Sequence, residues 1–391
     1  MARRMLIKGP LALMLAAAFL IQFTVPLTRV ATTYRAVAIG LDPNLAGALA
    51  AAFAILPLFL VVWFGRMTDR HGVKPATLLG AAIILLAVVL LWLVPSSLTS
   101  LFIGIAVLGV GQTMHYSGLQ MVVPLVSSRT YRDAILGNYL LATSLGDALA
   151  PLVIGIGGRD HPADIAAQLY LVAACSAVSL CIVALLLCLR LKRHDLRGLV
   201  LPPITAIIRT PGMLALLAAG SICATAQDLM ITYVPVLGLE RGIAPGMVGI
   251  MLTTISLSSV ASRAAYGTLS RRFGRSRLAM GAALVAALGL VTLALPLPQP
   301  LALAGLPLIG FGLGSAGTAT LAMLLFIAPR GARGTAMSMR QMGNRIGLFA
   351  LPFCIGGVAL VTGSIGTFGV LAAVVAGASL LTRAGEKRAK P

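Results

Sequence analysis

Runs of about 20 uninterrupted apolar residues recur along the whole chain, roughly what a helix needs to cross about 30 Å of hydrocarbon. No water reaches that depth, so every backbone N–H and C=O in such a run must find its partner within the segment, and each run must be helical. The alternating pattern of an outer-membrane barrel is absent from the sequence. Composition agrees: 59% of the 391 residues are hydrophobic, only 10% are charged, and the mean hydropathy is +1.00. That charge is too sparse to cover a water-soluble surface. The expected fold is therefore an all-α membrane protein. Twelve spans are expected near 10–31, 44–64, 76–95, 98–121, 133–157, 166–189, 212–237, 245–266, 278–296, 301–328, 335–359 and 364–382. The first run is too long for the core of a signal peptide and reads as a retained span.

The net charge of +20 does not form a nucleic-acid patch. Of the 30 Lys and Arg residues, 23 fall on the N-terminus, alternate loops and the C-terminal tail, and three (Arg35, Arg159 and Arg241) fall on the opposite loops. Basic loops stay in the cytoplasm, so both termini are expected there, in an inner (cytoplasmic) membrane, with an even number of spans. The five cysteines, Cys175, Cys181, Cys188, Cys223 and Cys354, sit inside apolar runs without zinc-type spacing and read as packing residues. The four histidines lie in separate segments, and no Walker A, H-E-x-x-H or G-x-S-x-G arrangement occurs. An enzyme, an ATP-driven pump and a cofactor or metal site are not expected. A sensor would need a soluble signalling segment that is not found, and a channel would need a filter-like segment.

The longest polar connection divides the chain into 1–189, a linker 190–211 and 212–391. The two parts share local patterns. Gly65 to Pro75 (GRMTDRHGVKP) and Gly267 to Arg277 (GTLSRRFGRSR) both carry glycine at places one and eight and arginine at place six. Gly146, Pro151 and Gly155 match Gly347, Pro352 and Gly356 at equal offsets. Two parallel six-helix pseudo-repeats with a substrate cavity between them are a transporter design.

The loop after span two, with Gly65, Asp69, Arg70, Gly72, Lys74 and Pro75, resembles the signature G-x-x-x-D-R-x-G-x-K-P of the major facilitator superfamily, and the similarity extends over nearly the whole chain. The resemblance implies a secondary transporter in which this loop latches the halves in one access state. In the second copy Arg271 replaces the acid. Span five, with Gly137, Gly146, Ala150, Pro151, Ile154 and Gly155, is similar to a motif of the family's proton-coupled exporters, with Ala150 and Ile154 in place of two glycines. In span four the position of the exporters' arginine is Ile105. The resemblance implies export of a drug-like compound or metabolite; the alternative is uptake or exchange of a small organic anion.

Polar residues inside spans are expensive and mark candidate substrate and proton sites. Gln22, Pro26 and Arg29 share one face of span one, and Gln112, His115, Tyr116 and Gln120 cluster on span four. Span five holds Ser144 and Asp147, span seven Gln227, Asp228, Thr232 and Tyr233, span eight Ser256, Ser259 and Arg263, and span eleven Arg340, Gln341, Asn344 and Arg345. Spans three, nine and twelve hold almost none. In the family, spans three, six, nine and twelve form the lipid-facing layer. Burial favours a neutral carboxyl unless a cation holds it ionised, so Asp147 and Asp228 are candidate proton carriers or partners of Arg29 and Arg345. The excess of Arg29, Arg340 and Arg345 over these acids suggests an anionic small-molecule substrate, with the proton as coupling ion, lipid as surroundings, no nucleic acid, and a monomer. Reporter fusions test the topology: a C-terminal green fluorescent protein is expected to fluoresce and a C-terminal alkaline phosphatase to be inactive, the opposite pair of results reversing the orientation.

Overall fold

The computed structural model describes residues 2–42, 46–94, 97–126, 132–155, 162–191, 208–295, 299–328 and 333–389. Among the described residues the elements are helical, with no strand. They run α1 (Ala2–Ala38), α2 (Gly47–His71), α3 (Val73–Leu93), α4 (Leu98–Val126) and α5 (Arg132–Leu149), then a 3₁₀ segment (Ala150–Gly155) and α6 (Pro162–Arg190). After the linker come α7 (Met213–Glu240), α8 (Pro245–Phe273), α9 (Arg275–Ala294), α10 (Gln299–Ile327) and α11 (Arg333–Ala389). α11 holds the last two expected spans in one helical stretch, broken at Gly363, where φ 59 and ψ −141 leave the helical region. Such a positive φ suits glycine. Among the described residues, ten helical stretches are long and apolar enough to cross a membrane. The expected second and fifth spans correspond to shorter apolar stretches, Gly47–Val61 and Asn138–Ile154.

The chain forms two compact units. Unit 1 comprises Met1–Asp42, Ala52–Leu199 and Ala244–Thr253, and unit 2 comprises Pro43–Ala51, Val200–Ile243 and Thr254–Pro391. The start of α2 up to Ala51 is counted with unit 2, and the start of α8 up to Thr253 with unit 1. Within unit 2, Gly47 sits against the Tyr233 hydroxyl and Pro352; within unit 1, Gly249 sits against the Pro151 carbonyl. Most of the linker lies outside the described residues.

In unit 1, α1 packs on α4, α5 and α6, and α3 packs on α4 and α6. The α1–α6 seam is polar in places: Thr24 and Ser176 share a 2.6 Å hydrogen bond, and the Tyr170 hydroxyl donates to Thr32 Oγ1 at 2.9 Å. In unit 2, α7 packs on α10 and α11, and α9 packs on the same two helices. Here the Arg241 guanidinium donates to the carbonyls of Leu293, Ala294 and Leu295 at 2.8, 3.4 and 3.4 Å, capping the C-terminal end of α9. A cation at this end also meets the negative pole of the helix.

Close backbone approach at glycine recurs with a fixed offset of about 201 residues. A Cβ at Gly109 would overlap the Phe53 carbonyl oxygen, and one at Gly310 would overlap that of Ile255. Helices in lipid associate by such close contacts, because lipid tails give no hydrophobic drive. The turns repeat as well: Gly72 (φ 81, ψ 178) and Gly274 (φ 79, ψ 151) cap α3 and α9. α3 leaves Leu79, Leu86 and Leu90 exposed, α6 Val178, Ile182, Leu185 and Leu189, and α9 Leu284, Leu288 and Val291. These single helical stripes are suited to lipid contact. Gly310→Ala is expected to destabilise the protein by about 1–3 kcal/mol through overpacking. A lowered melting temperature in detergent checks this; an unchanged one refutes the tight contact.

Candidate functional site

The site begins with a weakness in α1. Pro26 has no N–H to offer the carbonyl four residues back, that of Gln22. At the same level Gly146 of α5 lies against the Phe19 carbonyl and the Gln22 backbone, so α5 approaches α1 with no side chain between. This brings Asp147 to Gln22. The Gln22 amide nitrogen, Nε2, lies 3.2 Å from Asp147 Oδ1 and 3.1 Å from Oδ2 and donates to the carboxylate. Gln112 of α4 donates through its own Nε2 to Gln22 Oε1 at 3.4 Å. Three helices thus meet in one directed chain, Gln112 to Gln22 to Asp147, all three side chains half-buried.

Unit 2 contains a chain of the same sense. Gly347 of α11 packs against the Thr225 side chain of α7, as Gly146 packs on α1. Thr225 donates to Asn344 Oδ1 at 2.9 Å, and Asn344 Nδ2 donates to Asp228 Oδ2 at 2.9 Å. Thr225 Oγ1 is also 3.3 Å from the main-chain carbonyl of Asn344. Ser221, one turn earlier, donates to the Arg340 carbonyl at 3.2 Å.

The other expected residues are distributed differently. Arg29 is only 5% exposed, with its guanidinium carbon 4.7 Å from the centre of the Phe53 ring. That geometry is a cation–π contact, which stabilises a desolvated guanidinium. His115 is fully buried at the α3–α4 seam, its Nδ1 2.8 Å from the Thr77 carbonyl. The Thr77 carbonyl can only accept, so Nδ1 carries the proton. His115 is therefore held on α3 while Gln112, one turn away, turns to α1. Tyr116 pairs with Tyr139 of α5, ring centres 6.1 Å apart. Arg340 and Arg345 are half-buried on α11 with Asn344.

In the expected latch, Gly72 makes the left-handed turn already described, and Lys74 offers its carbonyl to the Cys188 thiol at 3.8 Å. The side chains of Asp69 and Arg70, and the surroundings of Gly65, Gly137 and Gly155, lie outside the described residues. Pro151 ends α5, and the chain continues to Gly155 as a 3₁₀ helix. No cluster of three or more His, Cys, Asp or Glu side chains suited to a metal occurs among the described residues. Sequence reasoning missed Thr225 and the Arg241 cap. The i+3 spacing of Thr225 and Asp228 on α7 was the available signal for the first; a cap formed through backbone carbonyls leaves none.

Comparison with known proteins adds the following. The profile of the Major Facilitator Superfamily matches residues 11–352, and a second match covers 216–391. The arabinose-proton symporter of Bacillus subtilis (strain 168) is 28% identical over 111 residues, 28% of this chain; the chain thus spans only 24% of that symporter's length. Among solved structures, a mutant of the nucleoside transporter NupG superposes with a TM-score of 0.75 at 16% identity, covering 97% of this chain and 100% of that one. A POT family transporter in complex with 5-aminolevulinic acid gives 0.77 at 15% identity, covering 97% and 96%. At these identities the likeness is one of fold. Phe53→Leu removes the ring beneath Arg29 and is expected to lower stability by about 1 kcal/mol or more; thermal unfolding in detergent measures it, and no change refutes the contact.

Proposed function

We propose a mode of action for this chain, which belongs to the Major Facilitator Superfamily and is a membrane transporter rather than an enzyme. It is a proton-coupled secondary transporter that takes up a small polar solute by alternating access. The observation that carries this reading is the pair of carboxyl groups inside spans, Asp147 and Asp228, each accepting from the side-chain amide of another helix. Carboxyl groups at such depth are disfavoured unless they serve a solute or an ion. The amides, hydroxyls and carboxylates found within each unit suit a solute rich in hydrogen-bonding groups. Gln22, Gln112, Asp147, Asp228, Asn344 and Thr225 are the residues assigned to solute and proton.

Uptake is preferred over the efflux suggested by span five. Ala150, Ile154 and Ile105 depart from the exporter pattern, and the relatives named above include a symporter. Arg29 is assigned a structural role, because it is buried against Phe53. Exchange of an organic anion is the second reading, favoured by Arg340 and Arg345 beside Asn344 on α11. The remaining assignments complete the picture. Two six-helix halves, 1–189 and 212–391, are duplicates, supported by the matched glycine contacts and turns. Both termini are cytoplasmic, the membrane is the inner one, the protein works as a monomer, and Gly65, Asp69, Arg70, Gly72 and Lys74 form the latch.

Proteoliposomes with an imposed pH gradient test the function, using labelled arabinose, uridine, a dipeptide and an organic anion as probes. One neutral or zwitterionic probe is expected to accumulate, to lose accumulation with a protonophore, and to fall to the protonophore level in Asp147→Asn. Accumulation indifferent to the gradient overturns proton coupling, and accumulation of the anion alone favours the second reading.

A further inference from the structure

The turn between α8 and α9 is the second copy of the signature-like loop, and its charge has changed in one direction. At places five, nine and eleven the first copy has Asp69, Val73 and Pro75, and the second has Arg271, Arg275 and Arg277. Arg272 matches Arg70, and Phe273 stands in the place of His71. The turn itself is kept, with Gly274 at a positive φ like Gly72. A loop that only has to stay on the basic side of a membrane needs charge, but no particular seating for it.

Here the arginines are seated. All four are exposed. The guanidinium carbon of Arg272 lies 5.6 Å from the centre of the Phe273 ring, and that of Arg275 lies 5.4 Å from the centre of the Phe326 ring, in the last turn of α10. Both rings are themselves exposed, by 49% and 74%. A planar guanidinium over a ring leaves the N–H groups on its rim for an anion. Arg277 heads a separate line: Arg277, Gly281, Leu284, Leu288 and Val291 share one face of α9 and are all exposed. A Cβ at Gly281 would meet nothing within 4 Å, so this stripe is notched one turn from Arg277.

Depth follows from helix length. α9 has 20 residues and is about 30 Å long, the thickness of the hydrocarbon layer. Arg241 caps its far end, so the arginines of its first turn stand where acyl chains give way to phosphates. The acids of unit 2 are Asp228, Glu240 and Glu386. Asp228 accepts from Asn344 within a span, and Glu240 adjoins Arg241 at the far end. Glu386 accepts from Ser276 at 2.5 Å. Ser276 is buried between its exposed neighbours Arg275 and Arg277, which puts this carboxylate on the packed side of α9.

We propose that the α8–α9 turn binds the phosphate of an anionic phospholipid. Arg272, Arg275 and Arg277 supply the donors, and Phe273, Phe326 and the notch at Gly281 meet the acyl chains. Arginine and phosphate form paired, charge-assisted hydrogen bonds. Charge decides the occupant: a zwitterionic headgroup brings a cation of its own into the cluster, and a glycerol headgroup does not. The site lies apart from the residues assigned to solute and proton and needs no direction of transport.

Native mass spectrometry of the full chain in neutral detergent tests this, with phosphatidylglycerol and phosphatidylcholine of identical acyl chains in competition. The wild type is expected to retain phosphatidylglycerol preferentially. Arg275→Gln/Arg277→Gln is expected to reduce that preference by about fivefold for each arginine removed. Lys192→Gln/Arg193→Gln, which removes the same charge from the linker, is expected to keep it. Phe326→Leu keeps every charge, serves if the double variant does not fold, and is expected to lower the preference about twofold or more. Equal retention of the two lipids, an equal loss in the linker variant, or full preference in both Arg275→Gln/Arg277→Gln and Phe326→Leu overturns the site. Displacement of the lipid by inorganic phosphate or glycerol 3-phosphate overturns the lipid assignment in favour of a soluble phosphate. The measurement needs no solute, so its failure is separate from failure of the transport assay.

Discussion

Lipid does not draw helices together, so both units depend on backbone meeting backbone. Glycine makes that possible where a side chain would intrude: Gly109 against the Phe53 carbonyl, Gly310 against that of Ile255, and Gly146 against α1. Each contact also fixes the rotation of its helix, and with it the direction of neighbouring side chains. Asp147 follows Gly146 directly, so the contact that seats α5 on α1 also delivers the carboxylate to Gln22. Packing and polar site are one feature at two adjacent positions.

The polar chains show how a span carries a charged group without losing its place in the membrane. A carboxylate needs donors, and neutral amides supply them without adding charge. Because Gln22 Oε1 accepts from Gln112 while its nitrogen serves Asp147, the orientation of the amide is determined by its partners rather than by its own rotamer. In unit 2 the same grammar uses a shorter amide and a hydroxyl.

Most of the architecture was legible in the sequence because length and apolarity are local properties. The expected ends of α3, α4, α7 and α9 lie within a few residues of those observed. The break between the last two spans was read as a loop, and it is a single glycine, Gly363, since one positive-φ residue is enough to interrupt a helix. Site membership was only partly legible. Helical spacing put Gln112 and His115 near one another, yet one serves α1 and the other α3, because a residue one turn on can point to a different neighbour. Similarly, Arg241 entered the sequence reading only as one of three basic residues on the sparser loops; the end of α9 that it caps is distant in sequence and gave no sign of that role, and neither did Phe53 for its contact with Arg29.

The change of helix type at Ala150–Gly155 has a geometric result. A 3₁₀ helix rises about 2.0 Å per residue against about 1.5 Å for an α-helix, so these six residues advance about 12 Å instead of about 9 Å. The shortest of the N-terminal helices is thereby lengthened at its far end while becoming slimmer. A thinner rod has room beside it, and it is at this tapered end that the Pro151 carbonyl admits Gly249 at close range.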